Sequence, residues 1–148
     1  MEEFSPFVSE DKAIYQVSKQ KRDHAFTNVV LDQYDFRCAV TGIKYHSENL
    51  TEAQAAHIIS KGRQGSDDPR NGIALSRTTH WAFDVGVFTI SDQYEIVVHP
   101  KAKLASANKF PILDMNGVQI NLPDDENYYP HEKALEWHRK EVFNKFSI

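Results

Sequence analysis

A short stretch in the middle of the chain restricts the fold more than any other part of the sequence. Within residues 53–86, a small apolar run is followed by a loop rich in Gly, Asp and Ser, then a second apolar run and a segment with helical spacing. The first run, 53–59, fits either a strand or a helix by its pattern, whereas 72–76 is typical of a buried strand. These parts predict a compact unit in which a short hairpin packs against a helix.

Helical signals lie within this unit and on both sides of it. Thr78 or Thr79 can cap the helix of the central unit, and Gly86 can end it. Apolar residues at helical spacing predict an N-terminal helical extension over residues 11–35. Pro130 is suited to the first position of a C-terminal helix over residues 130–146.

Strand signals complete the prediction. Residues 87–90 and 94–98 flank a polar turn and predict a hairpin. Residues 113–122, with an Asn-Gly pair in their middle, predict a second hairpin. Residues 38–42 are typical of a strand that enters a turn. We therefore predict an α+β fold.

Composition excludes several classes of protein. The chain has 148 residues, of which 41% are hydrophobic and 26% charged, as in a single globular domain over residues 1–148. No apolar run approaches the roughly 20 residues of a membrane helix, so no membrane partner is expected. The acidic first residues do not resemble a signal peptide, which predicts a cytoplasmic protein. Because Cys38 is the one cysteine, any metal must be held by His, Asp, Glu or Asn.

Charge alone does not predict a nucleic-acid partner. The formal net charge is -4, whereas DNA-binding domains are usually basic. Cations nevertheless cluster near the start of the chain and around the central unit, and a local basic face can hold phosphates on an acidic protein. The alternative is that these charges are merely solvated.

The central unit, with its core motif in residues 53–90, carries an ordered set of polar residues. His57 ends the first apolar run, Asn71 precedes the second, and His80 and Asp84 follow on the predicted helix. Since His80 and Asp84 are four residues apart, a helix projects them from one face. Trp81 and Phe83 of the same helix are expected in the core, as is His138 of the C-terminal helix.

This ordered set, with its flanks, resembles an HNH endonuclease of the restriction-enzyme-associated kind. The flanks that share the resemblance are residues 22–42 and 117–143. The resemblance implies a ββα-metal core and a metal-dependent endonuclease that hydrolyses DNA phosphodiester bonds in restriction or defence. It is also compatible with a homodimer that cuts both strands.

The resemblance implies a role for each polar residue. His57 would be the general base, since a neutral imidazole can take a proton from water. His80 and Asp84 would hold one divalent ion, with Mg²⁺ or Mn²⁺ the best fit and Zn²⁺ or Ni²⁺ also compatible. Asn71 would either join the metal ligands or fix the loop that orients His57, and both it and His80 count among the catalytic residues. DNA phosphates would be held by four cations: Lys61, Arg63, Arg70 and Arg77.

One position departs from the pattern. Many HNH enzymes have an Asp or His ligand directly before the catalytic histidine, and this chain has Ala56 there. Together with the acidic net charge, this departure favours an alternative, a catalytically silent HNH-like module that binds DNA or a protein. The retention of all four polar residues favours the nuclease.

Overall fold

The computed structural model describes residues 2–8 and 12–148, and for residues 12–22 it describes the backbone alone. The described part is α+β, as predicted, with two small antiparallel sheets and helices around them. Its helices and strands are α1 (Lys12–Gln33), β1 (Gln54–His57), β2 (Gly72–Leu75), α2 (Arg77–Val85), β3 (Phe88–Ile90), β4 (Ile96–Val98) and α3 (Glu132–Glu141).

The first hairpin, β1–β2, lies at the centre of the core. Its antiparallel register pairs His57 with Gly72 at the loop end. The helix α1 covers one face of the hairpin and buries Phe26 and Val30 there. A Cβ on Gly72 would come within 2.5 Å of the Val30 side chain. The helix can therefore approach this closely because residue 72 is a glycine.

The helix α2 follows β2 directly, so the predicted ββα order is present. It begins at Arg77, one residue after Ser76, so the prediction that Thr78 or Thr79 caps it is wrong. The backbone N–H of Arg77 instead donates to the carboxylate of Glu52, which places a negative charge at the positive end of the helix. Gly86 ends the helix as predicted, with φ +89°.

The strands β3 and β4 form the first predicted hairpin, whereas the second prediction, over residues 113–122, is wrong. The Asn-Gly turn itself is present, with the N–H of Val118 donating to Met115, but the chain then pairs with β4: Gly117 donates to Ile96, and Ile96 donates to Val118. Its first part forms the 3-10 helix Pro111–Asp114. The free edge of β4 offers unpaired backbone groups, and the segment pairs with that edge.

Residues 38–42 were predicted to enter a turn as a strand, and here the turn alone is present. The N–H of Gly42 donates to the carbonyl of Cys38, and an isolated bridge joins Arg37 to Lys44 beyond it. Cys38 itself is fully buried. Residues 38–42 are apolar because the turn that they form lies in the core.

Both terminal helices are shorter than predicted. The N-terminal one runs as the unbroken helix α1, and residue 11 lies outside the described residues. The C-terminal one begins at Glu132 because the ring of His131 accepts from the N–H of Lys133 and caps the helix, which leaves Pro130 before it. It ends at Glu141, and a separate 3-10 turn follows.

The core position predicted for His138 is confirmed. This side chain is 1% exposed and stacks on Phe83 with ring centroids 3.7 Å apart. Its Nε2–H donates to the carbonyl of Phe83, and its Nδ1 pairs with the hydroxyl of Thr89. Burial lowers the pKa of His138 to about 4, so the ring is neutral at pH 7 and joins α3 to α2 and β3.

Candidate functional site

His57 lies at the loop end of β1, between the hairpin and α1. Its ring stacks on Phe26 with centroids 3.9 Å apart, and its side chain is 17% exposed. The Nε2 atom lies 2.9 Å from Oδ1 of Asp67, which stands in the loop between the two strands. Strand, helix and loop therefore all hold this imidazole in one orientation.

The protonation of this pair follows from its surroundings. Burial by itself would raise the pKa of the Asp67 carboxyl, but hydrogen bonds from Lys61 and His57 outweigh burial and hold the pKa below its usual range. Lys61 donates to both oxygens of Asp67 at 2.9 Å. An ionised carboxylate can only accept, so Nε2 of His57 must carry the proton.

The other ring nitrogen of His57 is therefore the basic one. Burial, the largest influence, lowers the pKa of His57 below its usual value, although Asp67 opposes that shift. The ring is thus neutral at pH 7, with Nε2 protonated and the lone pair on Nδ1. This is the state that a general base requires.

Asn71 is fully buried and holds the loop through its side-chain amide. Its Oδ1 accepts from the N–H of Ile59, and its Nδ2 donates to the carbonyls of Ile59 and Ser66. These three bonds join the two ends of the loop that carries Lys61 and Asp67. Of the two roles expected for Asn71, this geometry supports the fixing of the loop.

His80 and Asp84 come together on α2 as the helical spacing predicted. Nε2 of His80 lies 3.2 Å from Oδ2 of Asp84, and Nδ1 of His80 lies 2.9 Å from Oε1 of Gln54 on β1. An amide oxygen can only accept, so Nδ1 donates to Gln54 and the lone pair of a neutral His80 is on Nε2. Two acceptors then face each other across 3.2 Å.

This pair suits a divalent cation. Two acceptors at such a separation repel unless a proton or a cation lies between them, and the Asp84 side chain is 54% exposed, so an ion can reach it. Gln54 orients His80 by a hydrogen bond to the ring nitrogen that faces away from Asp84, as groups around a metal-binding histidine usually do. No group of three or more His, Cys, Asp or Glu that could hold a metal occurs among the described residues. Water and phosphate oxygens would complete the ligand set, as is common for Mg²⁺.

The two histidines lie on different sides of the first hairpin. Successive side chains of a strand point to opposite faces, so Gln54 and His57, three residues apart on β1, leave it on opposite faces. His57 faces α1, whereas Gln54 reaches His80 on α2. Ala56 is fully buried opposite Ile73. The position of the usual extra ligand is therefore part of the core.

The four cations predicted to hold DNA differ in their surroundings. Lys61 is bound to Asp67 and lies 3.6 Å from Asp23. Arg70 makes two side-chain hydrogen bonds to Asp68, two residues before it in the sequence.

The other two cations are more open. The side chain of Arg63 is 58% exposed, over the ring of Trp137 and 3.7 Å from Glu141. Arg77 is exposed, and its side chain has no partner among residues 2–8 and 23–148. The sequence shows four similar charges, three of which lie within ion-pair distance of a carboxylate; of these three, Arg63 is the most exposed.

Sequence reasoning missed two residues of this site, Asp67 and Gln54. Asp67 stands in a polar loop, and only the folded loop brings it to His57. Gln54 precedes His57 by three positions. If residues 53–59 are assigned as a strand, Gln54 shares a face with Ala56, the position of the usual extra metal ligand. That assignment was open between strand and helix, so no sequence signal singled out Gln54.

Comparisons with known proteins agree with the predicted family resemblance and with the fold. Residues 38–91 match the family model described as HNH endonuclease, so the predicted resemblance is confirmed over that segment. A solved structure described as "Modification dependent TagI restriction endonuclease" superposes with a TM-score of 0.56 at 20% sequence identity. The superposition covers 80% of this chain and 37% of that chain.

The structural likeness shows a shared fold, and this chain spans about a third of that endonuclease's length. A search of curated protein sequences found no match. None of the helices in the described part of the chain combines the length and the apolar character that a membrane crossing requires.

Proposed function

We propose that this protein is a metal-dependent DNA endonuclease that hydrolyses phosphodiester bonds, as the HNH match of residues 38–91 suggests. The observation that carries the proposal is the His57–Asp67 pair, a neutral imidazole whose proton is held on Nε2 by an ionised carboxylate. The packing histidine His138 bonds to neutral groups, a hydroxyl and a carbonyl, whereas His57 bonds to an ionised carboxylate.

His57 is the general base in this proposal. Its Nδ1 takes the proton of the attacking water, and the developing imidazolium is stabilised by Asp67 through Nε2. Asp67, Lys61 and Asn71 are positioning residues, because each acts on the base or its loop and none needs to touch DNA.

His80 and Asp84 would hold the divalent ion, with Mg²⁺ or Mn²⁺ the proposed identity. A bound ion would supply charge stabilisation to the phosphate and to the leaving oxygen. Gln54 keeps the Nε2 lone pair of His80 directed at Asp84. Arg63 and Arg77 would contact neighbouring phosphates, whereas Lys61 and Arg70 act within the loop.

A nicking assay on supercoiled plasmid tests the proposal. The protein should nick DNA with Mg²⁺ or Mn²⁺ and lose this activity in EDTA. His57→Ala should lower the rate by on the order of 10² to 10⁴, the usual contribution of a general base, with DNA affinity unchanged. His24→Ala, at an exposed histidine of α1, is the matched control and should cut as the parent does. A His57→Ala variant as fast as the parent would refute the role of the base.

The alternative, a silent binding module, is favoured by the buried Ala56 and by the opposite faces on which Gln54 and His57 lie. If both histidines act on one phosphate, the variants His57→Ala and His80→Ala should be strongly non-additive, with the double variant little slower than the slower single one. A protein that binds DNA but never nicks it with any of the four metals is the binding module. Sedimentation with DNA tests the predicted homodimer, and the cytoplasmic location stays a prediction.

A further inference from the structure

An apolar groove of about 540 Å³ opens beside α2. Its walls come from α2, from the segment 102–113 and from the last residues of the chain. Trp81 and Val85 form the α2 wall, and Phe110 and Leu113 face them. The roles assigned above to His57, His80 and Asp84 do not use this groove.

Trp81 is the main aromatic surface of the groove. The sequence predicted it in the core, and this prediction is wrong: the side chain is 57% exposed, whereas Phe83 is fully buried as predicted. The Trp81 ring lies 6.4 Å from that of Phe110, tilted by 60°. A large exposed indole inside an apolar groove offers a stacking surface that the described residues leave largely uncovered.

On α2, two wall residues of the groove directly follow the proposed metal ligands in sequence. Trp81 follows His80 in the sequence, and Val85 follows Asp84. His80 and Asp84 are four residues apart, and so are Trp81 and Val85, so the two pairs form adjacent stripes along α2. The groove therefore lies about a quarter of a turn around α2 from the proposed ligands, within reach of a DNA strand held at His80 and Asp84.

The segment that forms one wall of the groove is basic, with lysines next in sequence to the wall residues Ala102, Asn108 and Phe110. Lys101, Lys103 and Lys109 are exposed, and between residues 97 and 113 the sequence has no acidic residue. None of the three lysine side chains has a partner among residues 2–8 and 23–148. Free cations around an apolar slot are the combination found where proteins bind single-stranded nucleic acid.

We infer that this groove binds one unstacked nucleobase of the DNA, next to the phosphate at the proposed metal ligands. The inference rests on the proposed function, and it adds that the substrate is a strand with a base out of the helix. The base stacks on Trp81, the lysines bind the adjacent phosphates, and the amide of Asn108 in the groove wall can hydrogen-bond to a base edge. An apolar peptide or a second copy of the chain would leave the three lysines unmatched.

Duplexes whose bases are already unpaired should therefore bind best, because a matched duplex must first lose a stacked pair. Binding is measured in EDTA, where no cleavage occurs, with a matched duplex and with one that carries a single unpaired base. The parent should prefer the second duplex. Trp81→Ala should weaken binding of that duplex by about 5- to 150-fold, the usual loss for one stacked base. The control Leu104→Ala removes an exposed apolar side chain outside the groove and should leave the preference intact.

Fluorescence gives a second readout. The chain has two tryptophans, so Trp137→Phe leaves Trp81 as the only tryptophan, whose emission is isolated by exciting at a wavelength that tyrosine does not absorb. The unpaired-base duplex should quench this emission more strongly than the matched duplex. A preference that survives Trp81→Ala, or an emission that neither duplex changes, would overturn the inference. So would self-association, seen by sedimentation without DNA, that Trp81→Ala abolishes.

Failure of this inference and failure of the proposed function have different signatures. If the nuclease proposal is wrong, the protein does not nick plasmid with metal, yet the Trp81-dependent preference in EDTA can still be present. If only the groove is misassigned, metal-dependent nicking persists and the preference is absent or independent of Trp81.

Discussion

Two basic segments of this protein have the same number of cations and opposite surroundings. The loop 60–70 carries Lys61, Arg63 and Arg70, and the segment 100–110 carries Lys101, Lys103 and Lys109. In the loop, each cation lies within ion-pair distance of a carboxylate: Lys61 of Asp67, Arg70 of Asp68 and the more exposed Arg63 of Glu141. In the segment, all three lysines are without partners among the residues whose side chains are described. The comparison teaches that cations near a site stabilise the fold when carboxylates pair with them, and stay available to a ligand when no carboxylate does.

The largest effect should come from removing what holds the loop. Asn71→Ala leaves three buried backbone groups of Ile59 and Ser66 without their partner. Since each unsatisfied buried group costs roughly 1–3 kcal/mol, we expect the free energy of unfolding to fall by about 3 kcal/mol or more in urea denaturation. Asn108→Ala, at an exposed position in the other segment, should change it by less than about 0.5 kcal/mol. Equal losses would remove the contrast between a fixed loop and an open segment.

The second effect should be on the rate. Asp67→Asn keeps the shape of the side chain but removes the carboxylate that holds Nε2–H of His57. Removal of such a supporting group typically costs 10- to 100-fold, so nicking should slow by about that factor, at unchanged DNA affinity. Because Asp67 raises the pKa of His57, the acidic limb of the pH–rate profile should move to lower pH.

The neighbouring carboxylate provides the control for that shift. Asp68→Asn removes the partner of Arg70 and should leave the acidic limb where it is in the parent. If Asp67→Asn slowed nicking without moving the limb, Asp67 would support the fold of the loop and not the base.

A third, smaller effect separates the two segments by the salt dependence of DNA binding. Each neutralised phosphate contributes about -0.9 to the slope of log affinity against log salt. Replacing Lys101, Lys103 and Lys109 together with Ala should therefore make the slope less negative by about 2.7, as titrations in EDTA would measure. An unchanged slope would mean that the segment is not a phosphate-binding surface.

The smallest effect is expected for single arginines. Arg77→Ala should change the slope by about 0.9, because the parent side chain is exposed and without a partner in the described part of the chain. Arg70→Ala should leave the slope unchanged, because Asp68 already neutralises the guanidinium. An Arg70 effect as large as that of Arg77 would show that DNA displaces Asp68.

Local patterns determined much of this protein. The helical spacing of His80 and Asp84, the turn between β3 and β4 and the glycine that ends α2 all depend on neighbours within a few residues. Such features can be predicted because their hydrogen bonds and side-chain contacts close within one element. The ordered motif of residues 53–90 likewise predicted the HNH match.

Tertiary structure alone decided the other features. Some depend on a partner that is distant in sequence, and others depend on which element covers a surface. Residues 113–122 follow β4 because that strand has an open edge, although their own Asn-Gly pair favours a hairpin. Trp81 is exposed because the segment with Phe110 faces it across a groove and leaves most of the indole uncovered. His57 gains its carboxylate, and Lys61 loses its free charge, only when the loop brings Asp67 to both. A sequence shows which charges and rings a chain carries, and the fold decides which of them remain unmatched.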